Sequence, residues 1–165
     1  MKRILVTGAN KGIGLATVEN LLQNHPDTFL ILGSRDEKRG DEAVGFLTSK
    51  EPKWADRLMM LAIDVLSEES VTMAAKTVAS SFETEAKPLY GIINNAGIGS
   101  SSIGLEPTFQ VNTWGIHRVC KVFIPLLAAS GRIVNVTSAA GPNFIEAADD
   151  VTRTCLLYTS PSPRD

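Results

Sequence analysis

The stretch Val6–Gly14, VTGANKGIG, follows a short apolar run and opens a segment with helical spacing. Its glycines at 8, 12 and 14 form a G-x-x-x-G-x-G loop. Gly8 permits a sharp exit from a strand, Gly12 lets backbone approach a phosphate, and Gly14 lets the next helix pack close to the sheet. A helix N-terminus at this place offers unpaired N–H groups and the positive end of a dipole. A lone glycine cluster is also compatible with a plain turn. Strand, loop and helix in this order within a βαβ unit point instead to a ligand that carries a pyrophosphate.

On both sides of the loop, short β-branched runs alternate with longer segments of helical spacing, the pattern of a parallel α/β sheet. Strands are expected at Arg3–Thr7, Thr28–Ser34, Leu58–Asp64, Leu89–Asn94 and Arg132–Ser138. Nearly all their residues are apolar, as in central strands covered on both faces. Helices are expected near Gly14–Asn24, Glu37–Ser49, Ser67–Phe82 and Pro107–Leu127, with Ser67 as a helix start and Pro107 in a first turn. Asn24–Asp27 reads as a turn. The expected architecture is a doubly wound (Rossmann) parallel sheet of order 3-2-1-4-5 in a single domain over residues 1–148. Residues 149–165 are expected to form a disordered or non-native tail, because Pro161 and Pro163 oppose helix and sheet alike.

Sixteen basic and eighteen acidic residues give a net charge of −2 with no block of one sign, which argues against nucleic acid or membrane surfaces and for small-molecule partners. Cys120 and Cys155 show no CxxC or metal spacing, and neither His25 nor His117 has ligands at metal-binding spacing, so no metal site is expected. The chain does not open on a charged and then apolar leader, and a reducing cytoplasm fits best. Val119–Ala129, VCKVFIPLLAA, is interrupted by Lys121 and Pro125 and reads as a core or interface helix, in which Phe123, like Trp114 before it, packs the helix.

The chemistry of the ligand follows from what surrounds the loop. A P-loop ATPase would close it with Gly-Lys-Ser/Thr, whereas Leu15 and Ala16 follow Gly14. An NAD-specific site would end the second strand on an acid that holds ribose hydroxyls; here Ser34 and Arg35 stand there. Arg35 together with Lys11 suits a 2′-phosphate, which favours NADP(H) over NAD(H). The competing reading makes Arg35 the start of a solvated charged run, RDEKRG, with Asp36 reaching the ribose.

Four motifs now stand in order: TGANKGIG at 7–14, NNAG at 94–97, VNTWG at 111–115 and IVNVTS at 133–138. From Met1 to about Ser138 the chain resembles the short-chain dehydrogenases/reductases, and TGANKGIG with ILGSR at 31–35 resembles the NADPH-dependent carbonyl reductase branch. The resemblance implies that Gly8, Asn10, Lys11, Gly12, Ile13, Gly14 and Arg35 bind the cofactor. It implies that Asp64 hydrogen-bonds the adenine amino group, that Val65 beside it binds the cofactor, and that Asn94, Asn95, Ala96 and Gly97 lie along the cofactor. By the same resemblance the Asn112 carbonyl holds a water in a proton relay, and the Ser138 hydroxyl binds the substrate carbonyl and steadies the alkoxide. Each has a plainer structural reading beside it: a capping aspartate for Asp64, turn chemistry for Asn94–Gly97, a solvent-facing asparagine for Asn112 and a strand-end cap for Ser138. The activity implied is reduction of a ketone, aldehyde or quinone to an alcohol by hydride transfer, in an intact protein that is a monomer or homodimer.

Such a reaction needs a proton donor, which the family supplies from Tyr-x-x-x-Lys on one helix face. Tyr90 is followed four residues on by Asn94, Tyr158 by Ser162, and no lysine follows Lys121. The chain is therefore expected to be the N-terminal, cofactor-binding part of the family fold, without its later strands and inactive alone. The alternative is a catalytically degenerate dinucleotide-binding module that senses redox state or scaffolds a partner.

Overall fold

The computed structural model describes residues 1–99 and 104–158. Five parallel strands, β1 (Lys2–Val6), β2 (Thr28–Ser34), β3 (Leu58–Ala62), β4 (Leu89–Asn94) and β5 (Leu127–Asn135), form one sheet in the order β3-β2-β1-β4-β5. This is the expected doubly wound order, with the switch in direction between β1 and β4, where such sheets bind ligands.

Over β1 and β2 both faces are covered, whereas β5 is half-buried to exposed along its length. Successive β1 residues point to opposite sides, so Leu5 joins a core with Val71 and Val78 of α3 (Glu68–Ser81) and Val119 and Phe123 of α5 (Ile116–Phe123). Val6 joins the other core, with Val18 and Leu22 of α1 (Gly12–Asn24), Leu47 of α2 (Glu37–Lys50) and Trp54. Helix starts follow local chemistry: the Asp36 carboxylate accepts from Arg39 N–H at 3.0 Å to cap α2, and the Ser67 hydroxyl accepts from Ser70 N–H at 3.1 Å to cap α3. The Asn24–Asp27 turn forms as expected. Arg57 pins it by donating to the carbonyls of Leu22, His25 and Thr28, which caps the C-terminal end of α1.

Between Pro107 and Ser138 three expectations need correction. The helix expected over Pro107–Leu127 is four pieces: α4 (Leu105–Phe109), a π-helical turn (Gln110–Gly115), α5, and a 3₁₀ turn (Ile124–Leu126). Pro125 has no N–H to donate and sits in the 3₁₀ turn, so the chain leaves the helix there and β5 begins at Leu127, earlier than expected. The extra residues are absorbed as a register shift, since Leu89 pairs with Leu127 but Gly91 already pairs with Arg132. Finally, Trp114 does not pack the helix into the core; it is 47% exposed and stands edge-on to His117. Phe123, by contrast, is fully buried.

The chain divides into two units after Asn135, earlier than the boundary expected at residue 148. In the second unit, α6 (Ala140–Ala147) is followed by α7 (Asp150–Tyr158) within the stretch expected from residue 149 to be a disordered or non-native tail; residues 159–165 of that stretch, with Pro161 and Pro163, lie outside the described residues. The local reason is a cap and a clamp. Thr152 N–H and hydroxyl both donate to the Asp149 carboxylate, which holds its pKa below the ordinary value, and Arg153 donates to the carbonyls of Ile145, Glu146 and Ala148 at the end of α6. Among the described residues no helix is long and apolar enough to cross a membrane.

Candidate dinucleotide site

β1 ends at Val6 and the chain turns at once. Gly8 has φ 64°, and a β-carbon there would stand 2.8 Å from the Ala96 Cα. The position therefore requires glycine for backbone sign and for space. Gly12, the first residue of α1, has φ 56° but nothing within 4 Å of where its β-carbon would be. Its open side is what a ligand approaching the backbone needs. Gly14 closes the loop against β4: a β-carbon would lie 2.5 Å from the Asn95 Nδ2 and 2.6 Å from the Gly8 carbonyl oxygen. Lys11, the N-cap of α1, makes no side-chain capping bond, so the first-turn amides of this helix are left for another acceptor.

The turn after β4 is bolted to this loop. Asn95 Nδ2 donates to the carbonyls of Thr7 at 3.0 Å and Gly8 at 3.1 Å. The buried Thr7 hydroxyl accepts from the N–H groups of Asn95 at 3.1 Å and Ala96 at 3.0 Å. Asn94 lies behind, buried, donating to the Asn135 side chain of β5 at 2.8 Å and to the Cys120 sulfur at 3.6 Å. Its Oδ1 has no partner.

These elements enclose a cavity of ≈ 400 Å³ at the carboxyl ends of β1 and β4. Of the cofactor-binding residues expected from the sequence, Gly8, Asn10, Lys11, Gly12, Ile13, Gly14, Arg35, Asp64, Val65, Asn95, Ala96 and Gly97 all line it, and Asn94 does not. Ile63, Leu66, Ile98 and Val111 line it as well and were not singled out. Ile63 and Leu66 flank Asp64–Val65, and Val111 precedes Asn112, so adjacency to a motif was the available signal. Thr7 was also missed; its signal is a polar residue between an apolar run and the first glycine.

Charge on the cavity wall is uneven. Arg35 and Lys11 are exposed, and among the described residues neither has a carboxylate within ion-pairing distance. Asp36 is occupied as the α2 cap, and its other oxygen lies 3.5 Å from the Arg39 Nε. Asp64 accepts from Leu66 N–H at 3.0 Å and so shapes its own turn, while Ser67 caps α3. Asn112 is not the solvent-facing residue of the plainer reading: it lies in the π-helical turn, its Oδ1 accepts from Ile98 N–H at 2.9 Å and its Nδ2 donates to the Ile98 carbonyl at 2.8 Å. Ser138 lies in the second unit, three residues past β5, where its hydroxyl accepts from Ala140 N–H at 3.2 Å.

Known proteins resemble this chain throughout that region. The profile of the short chain dehydrogenase family matches residues 2–148. A mitochondrial D-beta-hydroxybutyrate dehydrogenase from Bos taurus is 35% identical over 149 residues, covering 85% of this chain and 42% of the relative. Carbonyl reductase [NADPH] 1 from Rattus norvegicus is 34% identical, covering 82% of this chain and 48% of the relative. The chain thus spans about half the length of these curated relatives. Among solved structures, an NADPH-bound carbonyl reductase from chicken fatty liver superposes with a TM-score of 0.70 at 29% identity, over 86% of this chain and 61% of that one. With the switch-point cavity and its glycine loop, this agreement along the sequence establishes that the chain belongs to the short-chain dehydrogenase family.

Proposed function

We propose that the cavity binds NADP(H) in preference to NAD(H), and that the chain is the cofactor-binding part of an oxidoreductase that reduces a ketone, aldehyde or quinone to an alcohol. The observation that carries the cofactor choice is the pair of cations on the cavity wall, Arg35 and Lys11, neither of which has a carboxylate within ion-pairing distance among the described residues, while Asp36, next in sequence to Arg35, is engaged in capping α2. A 2′-phosphate finds two charge-assisted donors there. The rest of the wall fits a dinucleotide: the Gly12 face is open and the α1 N-terminus is uncapped by side chains. The names of the rat carbonyl reductase and the chicken structure point the same way.

In this reading Gly8–Gly14, Arg35, Asp64–Val65 and Asn95–Gly97 hold the cofactor, and the bound nicotinamide supplies a hydride. The chain's own residues fix the seat: Thr7 and Asn95 lock the two loops together, and Asn112 holds Ile98 in place. Ser138, assigned by its motif, polarises the substrate carbonyl with its hydroxyl. The proton comes from a group other than Tyr90 or Tyr158, which lack a lysine four residues on, so the 165-residue chain turns over little substrate by itself. The cytoplasm is the compartment assigned, although the bovine relative is mitochondrial by name. The substrate is a small carbonyl compound, and the intact protein is a monomer or homodimer.

Titration of the purified chain with NADPH and NADH tests the proposal. Arg35→Ala is expected to weaken NADPH about ten- to a hundredfold, the loss of one charge-assisted contact of about 1.5–3 kcal/mol, and to leave NADH unchanged. Unaltered discrimination would move the assignment to Asp36 and NADH.

A further inference from the structure

Arg118, the third residue of α5, reaches out of its helix in two directions. Its Nη1 lies 3.4 Å from the Val65 carbonyl oxygen and 3.3 Å from that of Gln110, and its Nη2 donates to the Gln110 Oε1 at 3.1 Å. Val65 is on the cavity wall, and Gln110 opens the π-helical turn that carries Asn112. The half-buried guanidinium has no carboxylate partner among the described residues, so all three acceptors are neutral. A π-helical turn bonds one residue further along than an α-helix and shifts backbone acceptors out of register with their donors. Gln110 presents such a carbonyl, and a side chain reaches it.

The same turn meets Val65 a second time. A β-carbon on Gly115 would stand 3.0 Å from the Val65 Cγ2 and 3.2 Å from its Cβ, so this part of the helix is seated directly on that residue. Two residues after Gln110, Asn112 grips both backbone polar groups of Ile98, and Ile98 follows Gly97 on the cavity wall. Val65, Arg118, Gln110, Asn112 and Ile98 are therefore successive links in one chain of contacts joining two cavity-lining segments that lie far apart in sequence.

We propose that Arg118 is a positioning residue for the cavity: its planar fork locks the π-helical turn onto the loop after β3 and, through Asn112, fixes the place of Ile98. The proposal rests on the dinucleotide reading only for the identity of the ligand. A lysine could not replace the fork, since one ammonium at the end of a flexible stem does not span three acceptors on two segments.

Site-resolved amide exchange by NMR on the full chain, together with NADPH titration, tests this. In Arg118→Ala, exchange at the Ile98 N–H is expected to rise about tenfold or more, while Leu5 and Val6 in β1 change less than about twofold, a local opening and not a global one. NADPH affinity is expected to fall about tenfold, and Arg118→Lys to behave as Arg118→Ala in both readouts. Ile98 exchange left as in the wild type, or raised only in proportion to β1, would overturn the proposal, and so would a lysine variant that restores both readouts. If Arg118→Ala does not fold, Gln110→Ala removes one acceptor and is expected to raise Ile98 exchange about threefold in the same local manner. No rise there would also overturn it. A wild-type chain that binds no NADPH would refute the dinucleotide reading and leave the exchange result to decide the role of Arg118.

Discussion

Thr7→Val removes a hydroxyl while keeping the shape of a fully buried side chain. Two donors lose their acceptor, the N–H groups of Asn95 at 3.1 Å and Ala96 at 3.0 Å. The Ile93 carbonyl keeps its stronger bond, from the Thr7 backbone N–H at 3.0 Å, and loses only a long contact of 3.5 Å with the hydroxyl. An amide left without a partner costs about 1–3 kcal/mol, and because both residues are partly exposed, water recovers some of it; the expected loss is about 2–4 kcal/mol. With a urea slope of about 2 kcal/mol/M, the unfolding midpoint falls by about 1–2 M. Thr7→Ser is the control, because it keeps the oxygen and removes one methyl group, for about 1 kcal/mol and a shift of about 0.5 M. Urea unfolding followed by far-ultraviolet circular dichroism separates the two. If valine is no more destabilising than serine, the clamp between the β1 and β4 loops does not carry the energy assigned to it.

The loop glycines make an opposed pair: Gly14→Ala forces a β-carbon into the Gly8 carbonyl and the Asn95 amide and is expected to cost about 2–4 kcal/mol and most nucleotide binding, whereas Gly12→Ala meets open space and pays only for its positive φ, about 1 kcal/mol. Equal midpoints for the two variants in the same unfolding assay would contradict this ordering. At low pH the Lys2–Asp27 ion pair at 3.2 Å sets a direction: hydrogen bonding and attraction from Lys2 hold the Asp27 carboxyl below its ordinary value of 3.8. Its contribution is complete above that value and disappears as pH falls through the lowered one, so the gap in melting temperature between wild type and Lys2→Met is expected to close below about pH 4. A gap that stays constant down to about pH 2 would show that Asp27 is not responsible.

Sequence by itself determined what depends on near neighbours. Apolar runs of strand length, glycines at 8, 12 and 14, and the caps Asp36 and Ser67 act within a few residues of themselves, and together they specify five strands, their crossovers and the cavity-lining motifs. Right-handed crossover geometry then leaves little choice of strand order. Tertiary structure decided what depends on partners distant in the chain. Thr7 finds its donors 88 and 89 residues away, Asn112 finds Ile98 across 14, and Arg118 finds Val65 across 53. Periodicity carries no record of such pairings. Pro125 and the register shift in β5 show the same limit, because helical spacing continued in the sequence past the point where a missing N–H and pairing with β4 drew the chain into the sheet. Asp150–Tyr158 shows it on a smaller scale: Arg153 reaches three carbonyls at the end of α6, five to eight residues away, and favours a helix that no apolar periodicity announces. Hydrophobic pattern and local capping assign elements because they are one-body or short-range terms; the identity of a hydrogen-bond partner is a two-body term that exists only once the sheet has brought the two segments together.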